Sequence, residues 1–272
     1  IVGLNGHAVV QGFGGRLDDW QDVLKQAKAT PGVVSATPLI EQPLLGTFNG
    51  RVEGILVRGM TVPDIRKNET LNGKVLQGNL DSLTPGTDNV AIGSELARNL
   101  GATVGSMITI INPAGRSTPF GTVPREIAYR VSAIFEIGVY DFDKAYVVMP
   151  MEDAQLLLLT GDQVGMIEIK TTDPDKVGEI LRPLGEKVAA QAVVSDWRSM
   201  NASLFEALSI ERVAMFVILS LIILVASFNI ISSLIMLVRA KTRDMAILRT
   251  MGASRDSVMR IFIAIGLAIG VA

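Results

Sequence analysis

The sequence predicts an α+β extracytoplasmic domain, a split β-α-β sandwich with a β-rich insert, followed by transmembrane α-helices. Three observations lead there. Strand–helix–strand patterns recur near the two ends of residues 1–200, and the stretch between them reads as apolar strands punctuated by Gly, Pro and Asn turns. Beyond it, Val213–Val238 runs without a single charge. Of the 272 residues 49% are hydrophobic, and the mean hydropathy is above zero. That is too apolar for an ordinary soluble domain, and the excess lies almost wholly after Val213. About two hundred residues are enough for a buried core, as one domain or two subdomains. The net charge of −2 offers no electrostatic reason for nucleic-acid binding. The chain has no cysteine, which excludes disulfides and thiolate metal sites.

In the first unit His7–Gln11 is strand-like, and Asp18 is the expected N-cap of a helix. Trp20, Val23, Leu24 and Ala27 fall at i, i+3, i+4 and i+7 on one face of it. Pro31 and Gly32 stop that helix, and residues 33–40 return as a strand. The insert, residues 46–149, is expected to hold strands at 52–60, 106–112, 127–138 and 144–150. A short helix over 94–101 should end at Gly101, where a left-handed cap costs glycine little. Residues 113–124, PAGRSTPFGTVP, read as a long projecting loop between two hairpin strands, either floppy or able to dock a partner. The second unit begins with a strand over 165–172. Asp173 and Pro174 are the expected N-cap and first residue of a helix that buries Val177, Ile180, Leu181 and Leu184, and residues 188–195 return as a strand.

A helix over Val213–Val238 would be about 39 Å long, more than the ~30 Å hydrocarbon core of a bilayer. Asn229, Ser232 and Ser233 are its polar exceptions; they could face a neighbouring helix or bond back to their own carbonyls. Its flanks set the direction. Residues 193–212 carry only Arg198 and Arg212, whereas 239–258 carry Arg239, Lys241, Arg243, Arg249 and Arg255. Positive charge favours the cytoplasm, so the domain lies outside. Thr242, Met245, Leu248 and Met251 share one face of a short helix that Gly252 stops; it could lie on lipid or serve as a socket for a cytoplasmic protein. Ser254 and Asp256 start another helix, and Ile261–Ala272 reads as the beginning of a further membrane span. Because the chain opens on Ile1 and ends within an apolar run, additional membrane helices are expected on each side.

No catalytic constellation is visible. His7, the only histidine, has no triad or metal partners in sequence reach. Gly12-Phe13-Gly14-Gly15 lacks the Lys-Ser/Thr of a phosphate loop, and Asp141 and Asp143 lack the glycine and distal glutamate of an EF-hand, so they read as a solvated turn.

Three stretches carry a resemblance. FNIISSLIMLVRAKTRDMAILRTMGAS (228–254), GLNGHAVVQGFGG (3–15) and STPFGTVP (117–124) resemble the lipoprotein-releasing (Lol) permeases within the FtsX/MacB-type ABC transporter permeases. The resemblance implies a periplasmic domain with a porter-like part (1–45 and 150–200), an inserted β-rich part (46–149) and a hook (113–124). It further implies a transmembrane helix (213–238), a cytoplasmic coupling helix (241–252) and the start of another span (261–272). In that family Arg116, Pro119, Phe120, Gly121 and Pro124 would belong to the arm that docks a LolA-like carrier. Arg243, Asp244, Met245, Ile247, Leu248 and Arg249 would meet a LolD-like ATPase, and Met215, Phe216 and Phe228 would line the substrate cavity. The chain would bind no cofactor, since ATP would be used by the partner subunit. Lipoproteins, membrane lipid and a second permease subunit complete the implied partners. A LolC-like hook beside a LolE-like coupling helix points to a homodimer over a heterodimer. The implied location is the bacterial inner membrane with residues 1–205 in the periplasm. A MacB- or FtsX-type mechanotransmitting permease and a non-transport anchored binding protein are the alternatives.

Overall fold

The computed structural model describes residues 6–119, 121–252 and 254–271, and leaves the side chains of Glu69, Arg116–Thr118, Thr122, Leu248, Arg249, Phe262 and 268–271 undescribed. The chain forms two compact units, residues 1–200 and 201–272.

The first unit begins with β1 (Ala8–Gly12), α1 (Trp20–Ala29) and β2 (Val33–Phe48), the expected β-α-β unit. Val23 and Ala27 are fully buried and Trp20 and Leu24 pack against the same core, as the helical spacing requires. Asp18 does not cap α1. Asp19 occupies the cap position without a side-chain bond, and Asp18 accepts a hydrogen bond from Gln163 instead.

Next come β3 (Arg51–Met60), α2 (Val62–Lys67), α3 (Glu69–Asn72), β4 (Val75–Gly78), β5 (Asn89–Gly93), α4 (Ser94–Leu100), β6 (Met107–Thr118) and β7 (Gly121–Phe135). Gly101, at φ 73°, ends α4 as expected. Then α5 (Tyr140–Ala145), β8 (Tyr146–Pro150) and α6 (Met151–Leu158) lead to the second β-α-β unit: β9 (Met166–Thr171), α7 (Val177–Val188) and β10 (Ala192–Asp196). The first turn expected at Asp173 is absent. Asp173 accepts the Asp175 N–H in a local turn that competes with the helix, which starts only at Val177. A short α8 (Trp197–Met200) closes the unit.

The two outer units interlock. β9 lies between β1 and β2 and is antiparallel to both, while β1 lies between β9 and β10. Their order, β10-β1-β9-β2, continues through β3, β8, β5, β7 and β4 in one sheet. β6 then pairs with both β2 and β7, so β2, β3, β8, β5, β7 and β6 form a closed hydrogen-bonded ring. β2 belongs to both parts. One edge of it pairs with β3, while the other pairs first with β9 over Val33–Leu39 and then with β6 over Leu45–Thr47. The expected boundary at 45 therefore falls inside a strand, and the porter-like and β-rich parts make one compact unit.

Alternate strand positions turn Val10, Ile40, Val57, Ile92, Ile110, Val147 and Ile169 into one core with α1, α4, α6 and α7. A second cluster on the opposite face joins Leu39, Met60, Ile65, Leu71, Phe135 and Tyr146. By area bookkeeping each fully buried large aliphatic contributes roughly 1.5–3 kcal/mol before conformational entropy.

The second unit is helical: α9 (Ala202–Ala240), α10 (Thr242–Thr250) and α11 (Arg255–Val271). α9 is long and apolar enough to cross a membrane, and starts about three turns before the expected span at Val213. Those added turns carry Glu206, Glu211 and Arg212, which is why hydropathy alone excludes them. Gly252, at φ 98°, follows α10, and Ser254 accepts the Ser257 N–H at the start of α11.

Candidate functional site

Residues 113–124 are not a long loop. β6 and β7 continue outward as a two-stranded ribbon, with Arg116 opposite Val123, Ser117 opposite Thr122 and Thr118 opposite Gly121. β6 ends at Thr118, one residue before Pro119, and β7 begins at Gly121. Prolines and glycines here suggest a loop because they weaken a ladder, yet an unpaired edge tolerates them. Pro119, Gly121 and Pro124 are exposed, and Val123 adds a half-exposed apolar side chain not singled out from sequence. Phe120 lies outside the described residues, as does the Arg116 side chain.

The ribbon's root is irregular. Between the pairs Asn112–Arg125 and Arg116–Val123, β6 carries Pro113, Ala114 and Gly115 where β7 carries Pro124 alone. This bulge bends the strand pair and increases its twist. A cleft of about 230 Å³ opens beside it, lined in part by Arg16, Glu41, Gln42, Asn112, Thr160 and Gln163. The cleft sits where β9 and β6 diverge along one edge of β2.

In α10 Asp244 pairs with Lys241 at 3.0 Å, both exposed, so the pair contributes little to stability. Thr242 donates to the Val238 carbonyl and Thr250 to the Ile247 carbonyl, which ties both ends of the helix. Arg243 and Ile247 are exposed and Met245 half-buried. The side chains of Leu248 and Arg249 lie outside the described residues.

Met215, Phe216 and Phe228 are all exposed on α9, but they do not share a face. At 100° per residue Phe216 and Phe228 lie about 120° apart, with Met215 on the far side of Phe216. A groove on α9 is lined by Ser220, Ile223, Leu224, Ser227, Phe228 and Ile231. Ser227 donates to its own helix at the Ile223 carbonyl.

His7 accepts the Thr171 N–H at Nδ1, 3.0 Å away, tying β1 to β9. Burial, and then Lys170, hold its pKa below the usual imidazole range, so the ring is neutral at pH 7. Gly14 and Gly15, at φ 84° and 80°, make a turn that leaves Phe13 exposed. Asp143 corrects the expected solvated turn. It is 3% exposed and accepts N–H bonds from Ile137 and Gly138 at 2.7 and 2.9 Å, closing the loop before α5.

One cluster is invisible in the sequence. Arg58 on β3 faces Glu41 on β2 across the register and also reaches Glu168 on β9, with the Tyr146 ring 5.9 Å away. Glu168 additionally accepts the Gly6 N–H. Burial opposes the Arg58 charge, but Glu168 and Glu41 more than offset it and its pKa is raised. Burial raises the Glu41 pKa despite Arg58, and burial followed by Glu41 pushes the Tyr146 phenol up to about 12. These strands are brought together only by the sheet, so no local spacing announces the group. It ties β9, β2 and β3, three neighbouring strands of the one sheet.

Comparison with known proteins matches residues 4–186 to the MacB-like periplasmic core domain and residues 216–272 to the FtsX-like permease C-terminal domain. The lipoprotein-releasing system transmembrane protein LolC of Xylella fastidiosa (strain 9a5c) is 36% identical over 271 residues, covering 100% of this chain and 65% of that protein. LolC of Neisseria meningitidis serogroup B (strain ATCC BAA-335 / MC58) is 36% identical over 249 residues, 91% of this chain and 60% of that one. LolE of Haemophilus influenzae (strain ATCC 51907 / DSM 11121 / KW20 / Rd) is 26% identical over 253 residues, 92% and 60% of the two chains. The chain thus spans 60–65% of the length of these relatives.

Proposed function

Because the chain belongs to the LolC/LolE-type permeases of the FtsX-like family, with a MacB-like periplasmic core domain, we propose that it is the permease subunit of an ABC transporter that lifts lipoproteins out of the bacterial inner membrane and passes them to a periplasmic carrier. The observation that carries this reading is the ribbon formed by β6 and β7. Paired strands that end on an exposed Pro119, with Gly121 and Val123 exposed beside it, present a partner with a surface that loses little entropy on binding. Arg116, Pro119, Phe120, Gly121 and Pro124 are the proposed carrier contacts, with Val123 alongside them.

α9 is the proposed membrane span, with residues 1–205 in the periplasm and the basic flank after it in the cytoplasm. α10 is the proposed contact with a separate LolD-like ATPase through Arg243, Asp244, Met245, Ile247, Leu248 and Arg249. The chain itself binds no nucleotide in this reading; ATP hydrolysed by the partner would tilt α10 and, through α9, move the periplasmic domain. A second permease subunit, a second copy or a related chain, completes the transporter. Met215, Phe216 and Phe228 are the proposed substrate contacts, and Phe228, which lines the groove of α9, is the best placed of them to meet a lipid-modified substrate.

The test is carrier binding by the full chain assembled with its ATPase in nanodiscs. Pro119→Glu and Phe120→Glu should each weaken binding of a purified LolA-type carrier at least tenfold, leaving the domain's melting temperature unchanged, because a tip contributes little to the core. Undiminished affinity in both variants would overturn the docking role and favour a mechanotransmitting permease of another branch.

A further inference from the structure

We infer that Asn112 is a positioning residue that aims the β6–β7 ribbon by clipping its root to α6; this deepens the docking reading above and rests on it. At the bulge the ladder is interrupted, and Pro113 and Pro124 have no N–H with which to repair it. The direction of the ribbon beyond this point must therefore be set by something other than strand pairing.

Asn112 supplies it. The residue is 5% exposed, the one asparagine named among the buried polar groups of the described core. Its Oδ1 accepts the Ala114 N–H at 3.0 Å, which folds the bulge on itself. Its Nδ2 donates to the Leu157 carbonyl at 3.3 Å. Leu157 is in the last turn of α6, which ends before left-handed Leu159 (φ 58°), so its carbonyl lies beyond the reach of the helix's own i+4 donors. One amide thus satisfies a bulge donor and a helix-end acceptor together. α6 in turn packs against β2, β3, β6, β7 and β8, so the clip is fastened to most of the ring.

Gly115 completes the root. A Cβ there would lie 1.9 Å from the Val123 carbonyl oxygen and 2.8 Å from the Arg125 nitrogen, so the two strands approach more closely than a side chain allows. A ribbon held in one direction before its partner arrives loses less freedom on docking, and the affinity gain from Asn112 would come from that pre-organisation.

The chain's lack of cysteine makes the test direct. Nitroxide labels at Val123→Cys and Leu156→Cys, both half-exposed sites, report the ribbon-to-α6 distance in the full chain in nanodiscs. Asn112→Leu removes both hydrogen bonds while keeping the branched shape and the number of side-chain heavy atoms, and Asn112→Ala removes them without an apolar branch. Each variant should broaden the distance distribution and weaken carrier binding about tenfold, in a domain that still folds cooperatively with a lowered thermal midpoint. An unchanged distribution in both variants overturns the clip, whatever the carrier does. A broadened distribution with undiminished affinity, in a protein whose Pro119→Glu variant loses binding, overturns the role of aim in docking. Unfolding of both variants overturns the assignment as well, since Asn112 would then be structural. If wild type itself binds no carrier, the docking reading fails and the distance distribution alone still decides whether Asn112 holds the ribbon.

Discussion

Replacing Arg58 by methionine tests how the neighbouring strands β9, β2 and β3 are held together. The side chains of Arg58, Glu41 and Glu168 are 11, 24 and 13% exposed, so the cluster is largely withdrawn from water. Removing the guanidinium strands two carboxylates beside each other, and breaking a buried pair in this way typically costs about 3–5 kcal/mol. For a domain of this size that is a fall in melting temperature of roughly 6–20 °C. The pH dependence follows from the direction of the Glu41 shift. Its folded pKa is raised, so its favourable contribution is fully present below the unfolded value of about 4.3 and is lost as pH rises through the folded pKa. Without Arg58 both carboxylates lose their main cation, and the deficit should be largest near pH 8 and shrink as pH falls toward about 4–5. Trp20 and Trp197 are the chain's two tryptophans and both lie in residues 1–200, so their fluorescence follows this unit during thermal or urea unfolding of the full chain in detergent. Adding Glu41→Gln and Glu168→Gln to Arg58→Met should restore much of the loss, because the stranded charges are gone. A deficit under about 1 kcal/mol at pH 8, or one that does not change with pH, would refute the reasoning.

The remaining predictions concern the loop before α5 and the short helix α10. Asp143→Ala leaves the part-buried N–H groups of Ile137 and Gly138 without their acceptor, and should cost about 1–3 kcal/mol by urea unfolding monitored on the same tryptophans. A cost indistinguishable from zero would mean that water reaches those amides. Leu248→Asp places a charge in the proposed ATPase contact and should leave ATP hydrolysis by the assembled transporter intact while abolishing lipoprotein release in a reconstituted assay. Normal release by that variant would remove α10 from the coupling path.

Much of the secondary structure was legible because it is written in local spacing. The buried faces of α1 and α7 follow from apolar residues three and four apart, and the end of α4 from a glycine free to turn left-handed at Gly101. The interval 113–124 was misjudged for a physical reason: Pro113, Gly115 and Pro124 are poor strand formers, yet pairing on either side of the bulge overrides their local preference. Asp143 was misjudged likewise, since its partners at Ile137 and Gly138 are backbone groups that no side-chain pattern reveals. The candidate contacts at Arg116, Pro119, Gly121 and Pro124 came from family likeness; their place on a ribbon, and the role of Asn112 at its root, came from coordinates.

By itself the sequence determined the strand–helix–strand patterns at the two ends of residues 1–200, the apolar span within α9 and the family. Each of these depends on residues close together in the chain or on composition over a window. Tertiary structure alone decided that β2 belongs to both the interlocked sheet and the closed ring, that Arg58 gathers Glu41 and Glu168, and that one amide at Asn112 joins the ribbon to α6. Those contacts link residues tens of positions apart, and their partners are chosen by sheet register and core packing. A local pattern records which face a side chain prefers, but not which distant strand will lie against it.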